Sequence, residues 1–310
     1  MRKHVYGPVP SRRLGRSLGV DLVPQKTCNF SCVYCQLGRT TNFTNERRDF
    51  FPREEILKEI DEKVAEIRRK IDYITFAGDG EPTLCKSLGY LIDRVKKYGI
   101  SVAVITNGAL LYDEKVRKEL SEANVVMPSL DAGSEVTFRK VNRPRKEINL
   151  KRVIEGMIEF RKIYDGQIWL EYMALKNVND TPDELTKIKK ILEKTKPDKV
   201  YINVPIRPPA ESWVEGSEKI EEIASIFDAF RIVLPEQGGF YVKGNNAETI
   251  KRELQEIIER HPMREDQIQK ILSEKHLPYD LIEELLREKQ IKRVVYGGKK
   301  FYLSEKTRLE

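Results

Sequence analysis

With 310 residues, 40% of them hydrophobic and 34% charged, the chain is long enough to bury a large core, and one domain of about 200 to 250 residues with a small appendage fits this length. No apolar run approaches the roughly 18 residues that span a bilayer, and the first residues lack the apolar core of a secretory signal. The four cysteines do not make a disulfide scaffold in a chain of this size, so we predict a cytoplasmic protein with no membrane partner.

Short apolar runs alternate with amphipathic segments between residues 16 and 206. Strands are predicted at residues 16–24, 72–78, 100–108, 124–132, 167–175 and 199–206, and helices at 52–70, 85–99, 111–123, 149–164 and 181–195. Six strands alternating with helices indicate a parallel sheet with right-handed crossovers. The layout is either an open doubly wound sheet or a full or partial barrel.

The remaining residues predict a smaller second module. A Pro-rich loop (207–217), a helix near 217–233 and a linker or strand at 238–246 lead into it. Residues 246–310 then predict a helix, two short helices at 263–276 and 277–290, and two strands within 291–304 joined by Gly297 and Gly298. We predict a first domain at 1–245 and a winged-helix-like module at 246–310. This module carries 14 Lys or Arg and 13 Asp or Glu, so a strongly basic DNA reader is not indicated.

Unusual residues follow the first four predicted strands. KTCNFSCVYCQLG (26–38) follows the first strand, GDGEPT (78–83) the second, TNG (106–108) the third and SLDAG (129–133) the fourth. Because chemistry collects at the carboxyl ends of parallel strands, we expect these segments to form one site.

Three thiols, Cys28, Cys32 and Cys35, lie within eight positions. A structural zinc site normally has four protein ligands in paired motifs, and no second pair is present. Buried structural cysteines are a second explanation, although the flanking Lys, Asn, Ser and Gln residues are unlike a core. A third explanation is a four-iron four-sulfur cluster with three thiolate ligands and one open iron.

CNFSCVYC resembles the CxxxCxΦC signature of the radical S-adenosylmethionine (SAM) superfamily, in which Φ is aromatic. The resemblance implies a partial (β/α)6 barrel and one cluster ligated by Cys28, Cys32 and Cys35. It also implies that SAM binds the open iron and is cleaved by the reduced cluster to a 5′-deoxyadenosyl radical. Tyr34 occupies the aromatic position, against the adenine.

The same resemblance extends to the other strand ends. GDGEPT is similar to the GGE motif that holds the methionine ammonium, which implies this role for Gly80 and Glu81, with Asp79 in place of the first glycine. Asn107, Ser129 and Asp131 occupy positions that contact the ribose and the methionine carboxylate. Glu171 is a further candidate, because a charge beside Trp169 and Met173 needs a partner or a ligand.

Within the superfamily, residues 6–210 look closest to the iron-sulfur oxidoreductases related to tRNA 4-demethylwyosine synthase. Those wyosine enzymes hold a second cluster with additional amino-terminal cysteines, and this chain has no cysteine before Cys28. Cys85 alone cannot hold a second cluster and is expected to be a small buried residue.

Basic residues are concentrated near the cysteines. Residues 1–40 contain seven Lys or Arg and one acid, and FRKVNRPRK (138–146) contains five Lys or Arg and no acid. We therefore expect a positive rim that includes Lys26 and Arg39, with Arg143, Arg145 and Arg207 as candidate phosphate contacts.

The leading hypothesis is a radical SAM enzyme that modifies an RNA, a tRNA base in particular, with a reductant such as ferredoxin or flavodoxin. One alternative is a radical SAM enzyme acting on a protein or peptide, including a glycyl-radical activase. Another alternative is a non-enzymatic iron-sulfur regulator that binds DNA, although this function leaves GDGEPT, TNG and SLDA unexplained.

Overall fold

The computed structural model describes residues 3–231, 240–244 and 246–310. Its strands are β1 (Val5–Ser11), β2 (Gly15–Val20), β3 (Thr27–Cys28), β4 (Asn42–Phe43), β5 (Tyr73–Phe76), β6 (Ser101–Thr106), β7 (Val125–Pro128), β8 (Gln167–Met173), β9 (Lys199–Asn203), β10 (Phe230–Arg231), β11 (Met263–Arg264), β12 (Ile291–Tyr296) and β13 (Lys299–Ser304). Its α-helices are α1 (Arg53–Ile67), α2 (Leu88–Val95), α3 (Glu114–Leu120), α4 (Glu135–Val141), α5 (Leu150–Ile163), α6 (Pro182–Thr195), α7 (Ile220–Phe227), α8 (Ala247–Arg260), α9 (Glu265–Glu274) and α10 (Asp280–Arg287).

The predicted strands and helices between residues 16 and 206 are all present, with shorter bounds. The sequence does not predict β1 or α4, and α4 lies partly in the segment that was interpreted only as a basic run. The helix predicted near 217–233 corresponds to α7, but residues 232 and 233 lie outside the described residues. Of the segment 238–246, residues 240–244 have no regular structure, while residues 238, 239 and 245 also lie outside.

One sheet contains most of the strands, in the order β1, β2, β5, β6, β7, β8, β9 and β10. β1 pairs with β2 in antiparallel orientation, and all later pairs are parallel. The spatial order follows the chain order, so every crossover advances in the same direction. A doubly wound sheet instead reverses its strand order at a switch point. The topology therefore favours the barrel alternative.

The two faces of this sheet pack against different partners. Val104 and Val126 point to one face and belong to a large core that contains buried residues of helices α1 to α7. Ala103 and Met127 point to the other face and form a second cluster with Leu14 from the β1–β2 turn. Helices on one face and strand side chains on the other describe a curled, partial barrel. The predicted α/β fold with a mostly parallel central sheet is confirmed. Across the described ranges, no helix is long and apolar enough to cross a bilayer.

The turn between β1 and β2 reaches into the interior of the barrel. Arg13 forms an ion pair with Glu171 of β8, and Arg12 Nη2 donates a hydrogen bond of 2.9 Å to Asn203 Oδ1 of β9. Arg13 is thus the partner that the charge of Glu171 requires. Burial, because a low-dielectric site disfavours the cation, and to a smaller extent the charge of Arg12 together lower the pKa of Arg13 to about 9.

Residues 246–310 form a smaller unit around a separate core. The elements α8, β11, α9, α10, β12 and β13 follow in that order, and the antiparallel strands lie in the order β11, β13, β12. Leu254, Ile282 and Tyr302 are buried together in this core. Gly297 and Gly298 have φ values of 54° and 71°, which a two-residue hairpin turn requires. The predicted hairpin is present, while the winged-helix assignment and the boundary at residue 245 remain predictions.

A buried ion pair joins this unit to the barrel. Arg260, the last residue of α8, has a side chain that is 1% exposed and that pairs with Asp21, which is 4% exposed. The Arg260 guanidinium also lies 4.8 Å from the centre of the Tyr6 ring. Burial acts to lower the pKa of Arg260, but the charges of Asp21 and Asp79 raise it above its ordinary value. Since Asp21 follows β2, the pair connects α8 to the strand that leads into the cysteines.

The Arg260–Asp21 pair predicts a large stability cost for Arg260→Met, because the buried Asp21 carboxylate would lose this cation. We expect the free energy of unfolding to fall by about 3 to 5 kcal/mol in urea denaturation. Lys118→Met is the matched control, since Lys118 pairs with Glu114 on the surface with side chains 70% and 67% exposed. It should change the stability by less than about 1 kcal/mol. Equal effects of the two substitutions would contradict the structural role of the buried pair.

Candidate functional site

The three clustered cysteines lie in a loop at the carboxyl end of β2. Cys28 belongs to the short strand β3, which pairs with β4 so that Cys28 lies opposite Phe43. Cys32 and Cys35 follow in irregular backbone, where the Cys35 N–H donates a 3.2 Å hydrogen bond to the Cys32 carbonyl. All three are partly buried and form no disulfide. The fourth cysteine, Cys85, is 2% exposed, in agreement with a small core residue.

The GDGEPT segment packs directly against the start of this loop. The Glu81 N–H donates to the Thr27 carbonyl at 3.0 Å, and the Lys26 N–H donates to the Asp79 carbonyl at 2.6 Å. A Cβ atom at Gly80 would lie 1.9 Å from the Thr27 oxygen, so a larger residue would force the two segments apart. Gly80 is therefore required for close backbone contact between the ends of β2 and β5.

The residues after α4 hold the other side of the loop. The Ser31 N–H donates to the Asn142 carbonyl at 3.1 Å, and the Val33 N–H donates to the Val141 carbonyl at 2.9 Å. In the opposite direction, the Arg145 N–H donates to a loop carbonyl, that of Asn29, at 3.0 Å. The cysteine backbone is thus fixed between the segment that follows β5 and the segment at the end of α4.

Glu81 and Asn107 meet beside Cys28. Glu81 is 2% exposed, and its Oε1 accepts hydrogen bonds from the Thr83 N–H, the Thr83 hydroxyl and the Thr106 hydroxyl at 3.0, 2.5 and 2.6 Å. Its Oε2 accepts the Asn107 N–H at 2.7 Å. Burial raises the pKa of Glu81, although these hydrogen bonds act against the rise. Since each carboxylate oxygen has about two acceptor sites, Oε2 is the oxygen available to a further donor.

The amide of Asn107 connects this carboxylate to the thiol. Asn107 Nδ2 lies 3.6 Å from Cys28 Sγ and 2.6 Å from Asn29 Oδ1. Cys28, Gly80, Glu81 and Asn107 therefore form one half of the site.

Asp131 organises the other half, next to Cys32. Its Oδ2 accepts hydrogen bonds of 2.6 Å from both the Tyr34 hydroxyl and Asn142 Nδ2, and its Oδ1 accepts the Met173 N–H at 2.9 Å. Asn142 Nδ2 also lies 3.6 Å from Cys32 Sγ. Burial raises the pKa of Asp131, with the three hydrogen bonds acting in the opposite direction. Two residues predicted as cofactor contacts, Tyr34 and Asp131, thus contact each other.

Ser129 lies between the two halves, at the end of β7. Its N–H donates a 3.1 Å hydrogen bond to the Thr106 carbonyl, and its backbone forms a bridge with Glu171 of β8. Its side chain is partly exposed. The nine residues predicted to form the site are brought to one edge of the sheet.

The electrostatic setting of the thiols is a low-dielectric pocket with one buried cation. Burial raises the pKa of Cys28 to about 12, with the negative charge of Glu81 adding to the rise, and burial likewise raises the pKa of Cys32. Lys26 is 7% exposed, and its ammonium donates a 3.1 Å hydrogen bond to Cys35 Sγ. Without bound metal, the thiols of Cys28 and Cys32 are neutral, so ligation must displace their protons.

The thiols are not arranged around a single metal ion. Within residues 3–231, 240–244 and 246–310, no three His, Cys, Asp or Glu side chains converge closely enough to hold one ion. A structural zinc ion would require such a convergent, tetrahedral set. Three thiols in one loop fit a cluster in which each thiolate ligates a different iron. Asn142, whose amide lies beside Cys32, is 3% exposed, and its Oδ1 has no hydrogen-bond partner. This oxygen is therefore an acceptor that a ligand next to Cys32 could use.

The predicted positive rim is wrong in its details. Lys26 is buried against Cys35, and Arg39 pairs with Glu211 at 2.7 Å. Arg143 also pairs with Glu211, at 2.6 Å, and Arg145 pairs with Glu147 at 2.7 Å.

Arg207, the third candidate phosphate contact, lies between the two units. It donates to the Pro262 carbonyl and Gln36 Oε1, both at 3.1 Å, and its Nη2 lies 2.6 Å from His261 Nε2. The five basic residues predicted for the rim and the phosphate contacts therefore each bind a group within the protein.

Sequence reasoning missed three residues that contact the cysteines or their neighbours. Asn142 was interpreted only as part of a basic run, Asn29 was not singled out, and Lys26 was expected in a positive rim. An uncharged amide among five charged or proline neighbours in KVNRPRK was the available signal for Asn142.

Comparison with known proteins identifies the class. Residues 22–188 match the sequence family described as the Radical SAM superfamily. UPF0026 protein MJ1312 of Methanocaldococcus jannaschii is 38% identical over 307 residues, covering 96% of this chain and 95% of that protein. A UPF0026 protein of Helicobacter pylori is 33% identical over 303 residues, covering 96% of both. The crystal structure of a radical SAM methyltransferase from Sphaerobacter thermophilus aligns with a TM-score of 0.54 at 16% identity, covering 69% of this chain and 65% of that chain, a likeness of fold alone.

The chain therefore belongs to the radical SAM superfamily. It is an enzyme that uses a four-iron four-sulfur cluster and SAM, and these predictions from the sequence are confirmed.

The arrangement of the cysteines predicts which of them hold iron. Replacing Cys28, Cys32 or Cys35 by Ala should each abolish a stable cluster, because two thiolates remain for a site that supplies three. Iron and sulfide content after anaerobic reconstitution, together with the visible absorption of the cluster, measures this loss. Cys85→Ala is the matched control and should retain iron and sulfide at the wild-type level. A cluster of normal content in Cys35→Ala would contradict the assignment.

The position of Lys26 predicts the reduction potential of the cluster. A cation 3.1 Å from Cys35 Sγ stabilises the more negative, reduced state, so Lys26→Met should lower the midpoint potential. Lys26→Arg keeps the charge and should stay closer to the wild type. Redox titration followed by electron paramagnetic resonance gives the potential, with iron content measured in parallel. Identical potentials in the wild type and Lys26→Met would exclude this electrostatic role.

Proposed function

We propose that this protein reductively cleaves SAM and uses the resulting radical to modify an RNA, with a tRNA base as the target. One observation carries the chemistry: three thiols, for which the described residues supply no fourth ligand, lie beside Glu81, Asn107 and Asp131 at one sheet edge. Three thiolates at this edge would leave one iron of a cluster with an open coordination position. The neighbouring polar groups would hydrogen-bond a polar ligand that binds there.

Each residue of this site has a proposed role. Cys28, Cys32 and Cys35 ligate the cluster, and Lys26 offsets its negative charge. Gly80 and Glu81 bind the methionine ammonium, for which Glu81 Oε2 is the available acceptor. When bound, the reduced cluster donates one electron to SAM and yields methionine and a 5′-deoxyadenosyl radical, which removes a hydrogen atom from the substrate.

The polar groups next to this carboxylate orient the rest of SAM in our proposal. Asn107 and Ser129 contact the ribose, and Asp131 lies near the methionine carboxylate. Tyr34 and Asn142 hold the Asp131 side chain by hydrogen bonds of 2.6 Å. Tyr34 also covers the adenine. Because Tyr34 and Asp131 are already joined, a substitution at either residue is expected to displace the other.

The reaction needs an external reductant, as radical SAM enzymes in general do. We propose a small electron-transfer protein of the ferredoxin or flavodoxin kind. The half-buried position of the three cysteines supports electron entry close to the loop.

The RNA assignment rests on the chemistry of the surface near the loop. Arg39, Arg143 and Arg145 keep 36% to 37% of their side chains exposed although they are paired. Arg145 pairs with the exposed Glu147, and such a surface ion pair contributes about 0 to 1 kcal/mol, so a phosphate group can replace this carboxylate at little cost. Arg39 and Arg143 share Glu211, whose side chain is only 6% exposed. The module at residues 246–310, which we propose to be winged-helix-like, supports the same kind of partner.

Two measurements test the proposal in sequence. Reconstituted protein with dithionite and SAM should form 5′-deoxyadenosine, whereas Cys28→Ala should form none, and failure of a fully loaded cluster would overturn the chemistry. Nucleoside mass spectrometry of tRNA from a deletion strain should then lack one modified nucleoside, restored by the wild-type gene and not by the Cys28→Ala gene. An unchanged tRNA profile with normal 5′-deoxyadenosine formation would favour the protein or peptide substrate.

A further inference from the structure

Two exposed aromatic rings lie beside the cysteine loop. In the part of the chain that the structure describes, five large hydrophobic residues are exposed, and only Phe43 and Trp213 among them are aromatic, at 39% and 44% exposure. Exposing such rings to water is unfavourable, so a pair of them next to a reactive site is a candidate contact surface.

Both rings are connected to the loop by short contacts. Phe43 lies opposite Cys28 in the β3–β4 ladder. Trp213 Nε1 donates a 3.3 Å hydrogen bond to Glu211 Oε2, and the Glu211 N–H donates to the Val33 carbonyl at 3.1 Å. Phe43 therefore lies next to Cys28, and Trp213 is connected through Glu211 to Val33, the residue after Cys32.

Each ring also has a cation above it. The Lys140 ammonium lies 5.8 Å from the centre of the Trp213 ring, and the Arg145 guanidinium lies 5.5 Å from the centre of the Phe43 ring. Lys140 and Arg145 are five residues apart in the chain, which limits the separation of their Cα atoms to about 18 Å, so both cations belong to one short segment.

The segment between the rings carries positive charge that is not neutralised. Lys140 and Lys146 are exposed, and no carboxylate within the described residues forms an ion pair with either. Arg145 pairs with Glu147, with side chains 37% and 47% exposed, where water and salt keep the attraction weak. The surface formed by Phe43, Lys140, Arg145, Lys146 and Trp213, called the loop-flanking surface below, is cationic and aromatic.

We propose that the loop-flanking surface binds single-stranded RNA, with unpaired bases stacked on Trp213 and Phe43 and phosphates near Lys140 and Lys146. This inference rests on the proposed function and adds the form of RNA that is recognised. Bases that are paired in a duplex have their faces covered by their neighbours, whereas unpaired bases stack on exposed rings. The substrate is therefore a loop or an end of the RNA.

Equilibrium binding of the reconstituted protein to a short single-stranded oligoribonucleotide, and to the same sequence in a duplex, tests this inference. We expect tighter binding to the single strand, with an affinity that falls as salt rises. Trp213→Ala and Phe43→Ala should each weaken single-strand binding by about fivefold or more. Trp213→Phe should keep most of the affinity, because it keeps a stacking face.

Two control variants separate the surface from general effects. Tyr90→Ala removes an aromatic ring that lies on α2 under the Arg53 and Arg94 guanidinium groups, at 4.2 and 5.0 Å. Lys118→Ala removes an exposed ammonium from α3. Both should bind RNA as the wild type does, whereas Lys140→Ala should weaken binding and reduce its salt dependence. Iron content confirms that each variant folds around its cluster.

The outcomes distinguish this inference from the proposed function. If the wild type binds RNA and the alanine variants at Trp213 and Phe43 bind it equally well, the loop-flanking surface is wrong and the RNA substrate stands. Equal affinity for single strand and duplex also overturns the stacking. If the wild type does not bind RNA, or binds an acidic peptide at this surface instead, the RNA part of the proposed function fails as well.

Discussion

The site depends on how closely the backbones of neighbouring strand ends approach the cysteine loop. The Thr27 carbonyl accepts the Glu81 N–H, and Gly80 allows this contact because any Cβ there would collide with the same oxygen. On the other side, the residues after α4 hold Ser31 and Val33 by further backbone hydrogen bonds. Because these backbone bonds fix the loop, the three thiols are not needed to hold it and remain available to ligands.

This placement explains why the polar residues of the site are buried and still suited to binding. Glu81 and Asp131 are each surrounded by donors from the chain, which reduces the cost of burying a carboxylate. The donors fix the orientation of each carboxylate before any ligand binds. Within each half, one amide contacts both a thiol and a polar neighbour: Asn107 contacts Cys28 and Asn29, and Asn142 contacts Cys32 and Asp131.

Much of this arrangement could be predicted from the sequence, for physical reasons. Hydrophobic periodicity identifies the strands and helices, and parallel strands must place GDGEPT, TNG and SLDA at one edge. The resemblance of CNFSCVYC to the CxxxCxΦC signature then indicates the chemistry.

Contacts between distant segments could not be predicted in this way. The basic run at residues 138–146 illustrates the difference. The Arg139 guanidinium donates hydrogen bonds to the carbonyls of Arg145 and Ile148, and Arg143 pairs with Glu211. Charge counted along a sequence does not reveal such partners. The interior ion pair of Arg13 with Glu171 is a second example, since the sequence indicates only that Glu171 needs a partner.

The smaller unit at residues 246–310 also supports the loop directly. Gln36 Nε2 donates to the Arg260 carbonyl across 224 positions of sequence, and the Arg39 N–H donates to the Arg308 carbonyl at 3.0 Å. A ribosome adds about 5 to 20 residues per second. The cysteines are therefore added to the chain roughly ten to forty-five seconds before Arg260, whose carbonyl supports Gln36. The cysteine loop is therefore among the first parts of the protein to be synthesised and among the last to be completed.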